Sequence, residues 1–514
     1  MANNRYLNAL KTETNFTRTE NGGVAHKTSG EALYDLFAQG GAYRQRSEED
    51  CVFLFKKAYE DNPTYALKCL FYLRDAMGEG QGERRFFRVC AKWLANTHTA
   101  AMKRNLEYIP QYGRWDDLYV FIGTPLEKDM FTLMRQQLIL DMDSKTPSLM
   151  AKWLKSENTS SAESCRLGNK TRIAFGMSHK QYRKTLSILR QRINVLERLM
   201  SAGRWDEIEF DKIPSKAGIV YRNAFARHDV ERMKANVEVQ SYSDFVKDTT
   251  TKVNTKALFP YEIVAKAVKL TRPGMWGWYQ REVALDNTER LAINKYWDNY
   301  GAELAKLDLN ALCVIDTSAS MLSGGNGEAT PMNIAIALGM MAAEKAKGPF
   351  HGTYVSFSSR PQVINIEGVD FVDKVRRIYE TNLCQNTNLE ATFDMLLQTA
   401  IRNHIKQADL PKSIIVVSDM QIDSQYGYYR VDGRERTRTM MENMREKWAR
   451  AGYTLPNLVY WCVDSKKDVY LDDGPNITYC SGASATLFRQ IAEGKTGYAL
   501  MMDKLNSDRY KPIH

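Results

Sequence analysis

Three short runs in the last third of the chain constrain its fold more than anything else: ALCVID at 311–316, SIIVVSD at 413–419 and NLVYWCV at 457–463. Each is nearly unbroken apolar text, rich in β-branched and aromatic residues. Each is shorter than a globular helix and lacks the polar alternation of a half-solvated strand. Strands of this kind are covered on both faces, which requires a mostly parallel sheet with helices packed above and below. The intervening text agrees. A helix is expected at Pro331–Ala346, with Thr330 as N-cap and Pro331 in its first turn. GTYVSFS (352–358) and PQVINIE (361–367) read as strands, and helices follow near 370–380 and 388–402. A further helix is expected at about 434–450, a strand at NITYC (476–480) and a last helix at about 485–493. The alternation predicts a doubly wound, Rossmann-like α/β domain over 305–500, with 501–514 as a tail. Ligands of such sheets sit beyond the carboxyl ends of the strands.

Chemistry-bearing residues stand at those ends. Asp316-Thr-Ser318-Ala-Ser320 begins where ALCVI stops, and Asp419 closes SIIVVS. Asn386-Thr387-Asn388 offers a hydroxyl on a third loop before an apolar helix. Two carboxylates and three hydroxyls, with no imidazole or thiolate, suit a hard cation: Mg²⁺, with Mn²⁺ or Ca²⁺ as alternatives. A DxSxS segment alone is also a good helix-start loop, so its weight comes from the company of Thr387 and Asp419. The five positions together resemble the metal-ion-dependent adhesion site of von Willebrand A domains. That resemblance implies Ser318 and Ser320 as direct ligands, Thr387 as a switchable ligand, and Asp316 and Asp419 holding coordinated waters. It also implies an open position for an acidic group of a partner protein. The stretch Ser323–Ala329 would lengthen the rim of this site.

Residues 1–304 read as all-helical. Helix-period apolar positions recur in EALYDLFAQ, EDCVFLFKKAYE, TYALKCLFYLRDA and RRFFRVCAKWLAN. The connectors are short: DNP (61–63), GEGQG (78–82) and GRWDD (113–117). Helices joined this way stack as bundles or solenoids. Gly113-Arg-Trp-Asp-Asp returns as Gly203-Arg-Trp-Asp-Glu, either a true repeat or the same local chemistry used twice. GEGQGERR (78–85) lacks the GK[ST] of a P-loop and follows a helix, so it is expected to be an interhelical turn. Tyr72, Trp93, Trp115, Trp153 and Trp205 are expected to anchor cores.

The formal net charge is +10, and its placement carries the information. Residues 1–300 hold 47 Lys+Arg against 36 Asp+Glu, whereas 301–514 hold 24 against 25. Within 151–200 there are 11 basic and 3 acidic residues, a local excess of +8. Such an excess is either a polyanion footprint or a solvated helix face.

LRDAMGEGQGERRFFR resembles the Arg-Asp…Gly-x-Gly-x-Gly-Glu-Arg segment of TROVE modules, the HEAT-like helical repeats of the Ro 60-kDa family. GMSHKQYRKTL (176–186) resembles that family's Ser-His-Lys helix. A helical part followed by a von Willebrand A domain is the Ro layout, and the likeness is nearest to the Ro-like proteins grouped as DUF2828. It implies a helical domain closed into a ring and single-stranded or non-coding RNA as ligand. The implied contacts are Lys180 and Lys184, flanked by His179 and Arg183 and extended by Lys170, Arg172 and Arg190. Lys180 and Lys184 lie i,i+4 on one helix face. Two departures stand out: Ser187 lies near the position of that family's second histidine, and Lys184 replaces an arginine, a point charge for a planar fork.

No nucleophile elbow, HExxH or Rossmann glycine fingerprint occurs in a suitable context, so a binding protein is expected rather than an enzyme. The polar N-terminus lacks a secretory core, and no apolar run of about 18 residues occurs. Eight scattered cysteines read as reduced, buried thiols. A cytoplasmic, monomeric, membrane-free RNA scaffold is the expectation. The alternative is a protein–protein adaptor that clasps an acidic partner residue through the metal site and has no RNA role.

Overall fold

The computed structural model describes residues 14–77, 80–272, 282–302, 307–322, 327–357, 360–381, 388–422, 428–431, 434–437, 439–472 and 474–514. They form two compact units that are discontinuous in sequence. One joins the N-terminal residues through Cys69 to Leu258–Ser507, and the other joins Leu70–Ala257 to Asp508–His514.

The first unit is built on a sheet. Its strands, in chain order, begin with a small antiparallel pair, β1 (Phe16–Arg18) and β2 (Val24–His26). The main sheet holds β3 (Ala311–Asp316), β4 (Thr353–Phe357), β5 (Gln362–Asn365), β6 (Ser413–Ser418), β9 (Asn457–Cys462) and β10 (Ile477–Ser481). Between these, β7 (Tyr428–Val431) and β8 (Arg434–Thr437) form a separate hairpin. The spatial order is β10-β9-β6-β3-β4-β5, parallel except for β5, which pairs antiparallel at the edge. The short β4–β5 connection leaves no room for a crossover helix, so the chain can only turn back.

Every residue of β3 and of β6 is buried, as expected of strands covered on both faces. The Pro331–Lys345 helix, capped by Thr330, buries thirteen of its residues. Gly339 permits its approach to the sheet, because a Cβ there would sit on the Ile315 side chain. β3 is followed to one side by β4 and flanked on the other by β6. The sheet therefore has its switch point between β3 and β6, where Asp316 and Asp419 leave their strands.

Three expectations need correction. No helix spans 434–450. The segment begins as β8, and the helix is Met440–Arg450. Thr439 sets its start by accepting from Glu442 N–H, while Glu442 returns a bond to the Thr439 N–H. Residues 501–514 are no tail. Leu500, Met501 and Leu505 are buried in a Gly497–Leu505 helix, and Tyr510 and Ile513 are buried in the second unit. Residues 14–69, 258–272 and 282–302 belong to the sheet unit rather than to the helical one. Thr19 Oγ1 donates to Ile422 O (2.6 Å), Tyr479 N–H to Tyr34 Oη (2.7 Å) and Gly41 N–H to Ser481 Oγ (3.0 Å).

The second unit is helical, with its longer helices at Arg84–Thr97, Glu127–Asp143, Ala162–Ala174, His179–Arg192 and Ser215–Arg227. Its centre carries charge as well as apolar packing. Arg74 and Asp117, both buried, pair at 2.6 Å, and Arg88 reaches the other Asp117 oxygen at 2.8 Å. Gly113 is required beside them, because a Cβ would meet the Asp117 carboxylate and lie 2.9 Å from Arg74 Nε. The C-terminal residues close the unit. Arg509 forks onto Asp75 at 2.9 and 3.0 Å, and Tyr510 stacks on Tyr112.

The described part of GEGQGERR connects the Pro63–Arg74 and Arg84–Thr97 helices, with Gln81 Nε2 donating to Tyr72 Oη. The two GRWD segments both start a 3₁₀ turn at their tryptophan, but Gly203 sits at φ +68° and Gly113 does not. Asp117 is buried in the arginine network, whereas Glu207 pairs with Arg204 at the surface. Trp205 is buried and stacks 3.9 Å over His228. The seven described cysteines are unbridged, and six of them are buried.

Candidate metal centre and nucleic-acid interface

At the carboxyl edge of the sheet, the backbone turns out of β3 immediately after Asp316. The Asp316 carboxylate accepts from Ser318 N–H (2.9 Å) and from Ser418 Oγ–H (2.5 Å). Ser418, the last residue of β6, thereby ties the two strand ends together, and its Oγ also accepts from Met420 N–H. Ser318 and Ser320 hydroxyls lie 3.0 Å apart, and Ser320 in turn hydrogen-bonds the Asp419 carboxylate. Met420 sits at φ +61°, a left-handed conformation disfavoured for a long side chain, stored directly beside Asp419. Four of the five sequence-predicted positions are thus linked in one constellation. Thr387 lies outside the described residues, as do Ser323–Asn326 of the rim segment.

Asp316 and Asp419 are 0% and 1% exposed. Burial, and after it the Asp419 carboxylate, push the Asp316 carboxyl up to about 7. Burial raises Asp419 as well. Asp464, two residues past β9, is raised to about 6 by burial and then by Asp419. Asp419 Oδ2 is buried with no hydrogen-bond donor among the described residues. Two buried carboxylates, one of them raised by the other and one oxygen left unpaired, demand a compensating positive charge. Among the described residues Lys466 supplies a partial one: its Nζ stands 3.9 Å from Asp419 Oδ2 and 3.6 Å from Glu20 Oε2. The all-oxygen donors and their excess of negative charge fit a hard divalent cation. No group of three or more His, Cys, Asp or Glu side chains poised to hold a metal occurs among the described residues, so any site here depends on the hydroxyls.

Sequence reasoning missed Ser418, Asp464, Lys466 and Glu20. Ser418 was signalled by a hydroxyl inside an apolar run, and Asp464 and Lys466 by the strand-end rule applied to β9. Glu20 arrives because Glu20 N–H and Asn21 Nδ2 bind Gln421, some 400 residues away, and no local pattern announces that.

The basic residues divide into two sets. Arg190 is structural: it donates to Ala151 O (2.9 Å), Leu154 O (2.8 Å) and Ser156 Oγ (3.0 Å). Arg172 and His179 share Glu157, and Lys170 pairs with Glu127 at 3.0 Å. Lys180, Arg183 and Lys184 differ. They are exposed on the His179–Arg192 helix, and no carboxylate among the described residues pairs with them. They also crowd the first turns of that helix, which has no acidic residue there. Lys180 lies in the first turn, where an exposed cation opposes the macrodipole by about 0.3–1 kcal/mol. The buried face of the same helix, with Tyr182, Leu186 and Leu189, fixes this stripe in place.

Comparison with known proteins sets this architecture in a class. A crystal structure of the Ro (RSR) protein of Deinococcus radiodurans aligns with 91% of this chain and 100% of its own, at a TM-score of 0.50 and 13% identity, so the fold is Ro-like. Residues 19–172 and 137–307 match the family described as "Domain of unknown function (DUF2828)", and residues 310–506 match "Domain of unknown function (DUF7788)". The chain belongs to the DUF2828 family. It is also similar to "Uncharacterized protein L728" of Acanthamoeba polyphaga mimivirus, 29% identical over 515 residues that cover 93% of this chain and 84% of that protein. No helix of the described residues is long and apolar enough to cross a membrane.

Proposed function

We propose that this protein is an RNA-binding scaffold. The helical unit holds single-stranded or non-coding RNA, and the sheet unit docks a partner protein through a divalent cation. The observation that carries the RNA reading is the exposed cationic stripe of Lys180, Arg183 and Lys184, which no carboxylate among the described residues pairs, on a helix fixed by its buried Tyr182, Leu186 and Leu189. Phosphates would offset that charge, and binding of this kind is salt-dependent and tolerant of sequence.

In the sheet unit, Ser318, Ser320, Asp316 and Asp419 would hold the cation, with Thr387 as a further hydroxyl. When bound, the cation would supply a coordination position for a carboxylate of the partner. Ser418 positions Asp316, Ser320 orients Asp419, and Lys466 partly neutralises Asp419. Mg²⁺ suits this donor set best, because it tolerates coordinated waters between carboxylate and ion. The role is docking rather than catalysis.

The test is RNA recovery after ultraviolet crosslinking, from wild type and from Lys180→Ala/Lys184→Ala. A tenfold or greater loss is expected in the variant, and equal recovery would refute the RNA role of this face.

A further inference from the structure

The helical unit holds a second concentration of positive charge, drawn from other segments of the chain. Arg74, Arg88 and Arg114 converge on Asp116 and Asp117: Arg88 reaches Asp117 at 2.8 Å and Asp116 at 3.3 Å, and Arg114 forks onto Asp116 at 2.9 and 3.0 Å. Lys155 Nζ stands 4.0 Å from the same Asp116. Arg84 opens the Arg84–Thr97 helix beside them. It is exposed, and no carboxylate among the described residues pairs with it. Among the described residues, four cations thus meet Asp116 and Asp117, and Arg84 adds a fifth positive charge beside that pair.

The excess is built, not incidental. The Trp153 ring carries Arg114 on its face, 3.9 Å from the guanidinium. Lys155 is held by its backbone, which donates to Tyr119 Oη and accepts from Tyr182 Oη at 2.8 Å. Arg190 fastens the 151–156 segment from the other side. Arg88 Nη2 is buried and stands 3.3 Å from Asp116 Oδ2, outside hydrogen-bond geometry. Partial enclosure of its guanidinium and then the like charges of Arg114, Arg88 and Arg74 lower the Arg84 pKa to about 10. Apolar or amide side chains would fill this place at no electrostatic cost. Arginine forks surrounding too few carboxylates match the planar, multi-oxygen geometry of a phosphoryl group.

We propose that Arg84, Arg88 and Lys155 form a phosphate-binding site, occupied by a backbone phosphate of the RNA. The RNA part rests on the function proposed above, whereas the phosphate site itself does not.

The experiment uses full-length wild type, Arg84→Gln, Arg84→Lys and Lys180→Ala/Lys184→Ala. Binding of a labelled 15-nucleotide oligouridylate is followed by fluorescence anisotropy across a KCl series. Melting temperature is compared in 10 mM inorganic phosphate and in chloride of equal ionic strength. Arg84→Gln should weaken the RNA three- to tenfold near 0.1 M salt and flatten the slope of log Kd against log salt by about 0.7, one phosphate contact on a single strand. Arg84→Lys should retain most of that slope. Wild type should melt higher in phosphate than in chloride, and Arg84→Gln should not. Loss of the phosphate response with unchanged RNA affinity would support the site and make its ligand a free phosphate or nucleotide. Failure of wild type to bind RNA would end the RNA reading, and the phosphate comparison would still decide this one. Unchanged RNA affinity together with an unchanged phosphate response would overturn the proposal. So would a variant that melts lower in both salts by the same amount, which is the mark of a structural arginine.

Discussion

Asp316→Asn separates a metal-holding carboxylate from a merely structural one, because it should move stability in opposite directions with and without Mg²⁺. In the metal-free protein the Asp316 carboxyl is raised from 3.8 to about 7, chiefly by burial and then by Asp419. Such a group carries no penalty below its unfolded pKa and a full penalty above its folded one. The charged form therefore destabilises the native state increasingly between pH 4 and 7, to a ceiling of roughly 4 kcal/mol. Asparagine removes that penalty. It keeps the acceptor for Ser318 N–H but forces the Ser418 hydroxyl to rearrange, at about 1 kcal/mol. In EDTA at pH 8 the variant should be more stable than wild type by about 1–3 kcal/mol, and by pH 5 the advantage should fall to under about half. With Mg²⁺ at 100 times its dissociation constant, wild type should gain about 2.7 kcal/mol and the variant almost nothing. Urea unfolding followed by circular dichroism, at pH 8 and pH 5 with EDTA or Mg²⁺, measures all four quantities. Equal Mg²⁺ stabilisation of both proteins, or an Asp316→Asn protein less stable in EDTA at pH 8, would refute the reasoning.

Gly113→Ala should cost at least 2 kcal/mol, on the order expected for overpacking at a buried ion pair, since the new methyl group displaces Asp117 from Arg74. A melting point within a degree of wild type would show that the network can shift to accept it. Arg190→Ala removes three bonds that hold the 151–156 segment and should destabilise by roughly 2–4 kcal/mol. At a temperature where it is folded, its RNA salt slope should match wild type, and a flattened slope would return Arg190 to the RNA-contacting set.

The parallel sheet was legible because apolar runs with no polar alternation have few other uses. The strand-end rule then located Asp316 and Asp419, and the burial of both follows from their strands being central. The 434–450 reading failed on one residue: Thr439, a strong cap, stops the helix from extending back over the preceding polar stretch. The linear division into 1–304 and 305–500 failed for a different reason. Helical periodicity tells which face of a helix is apolar, and nothing about what covers it. Tyr34 completes the bonding of Tyr479, and Tyr43 donates to Asp468, across more than 400 residues. Charge counting found the basic segment but could not sort it. Arg190 satisfying backbone carbonyls and Lys184 facing solvent look alike in a composition window.

The discontinuity of the two units sets an order of events during synthesis. The helical unit is drawn from residues 70–257 and again from 508–514, so its last buried side chains, Tyr510 and Ile513, do not exist until the whole sheet has been translated. Asp75, held in the finished protein by Arg509 and Tyr510, must wait through more than 400 residues of elongation for its partners. Until then the helical unit lacks a closing segment, with one of its central carboxylates uncompensated. The helical unit therefore cannot close over Asp75 during synthesis until the strands of the sheet have been made.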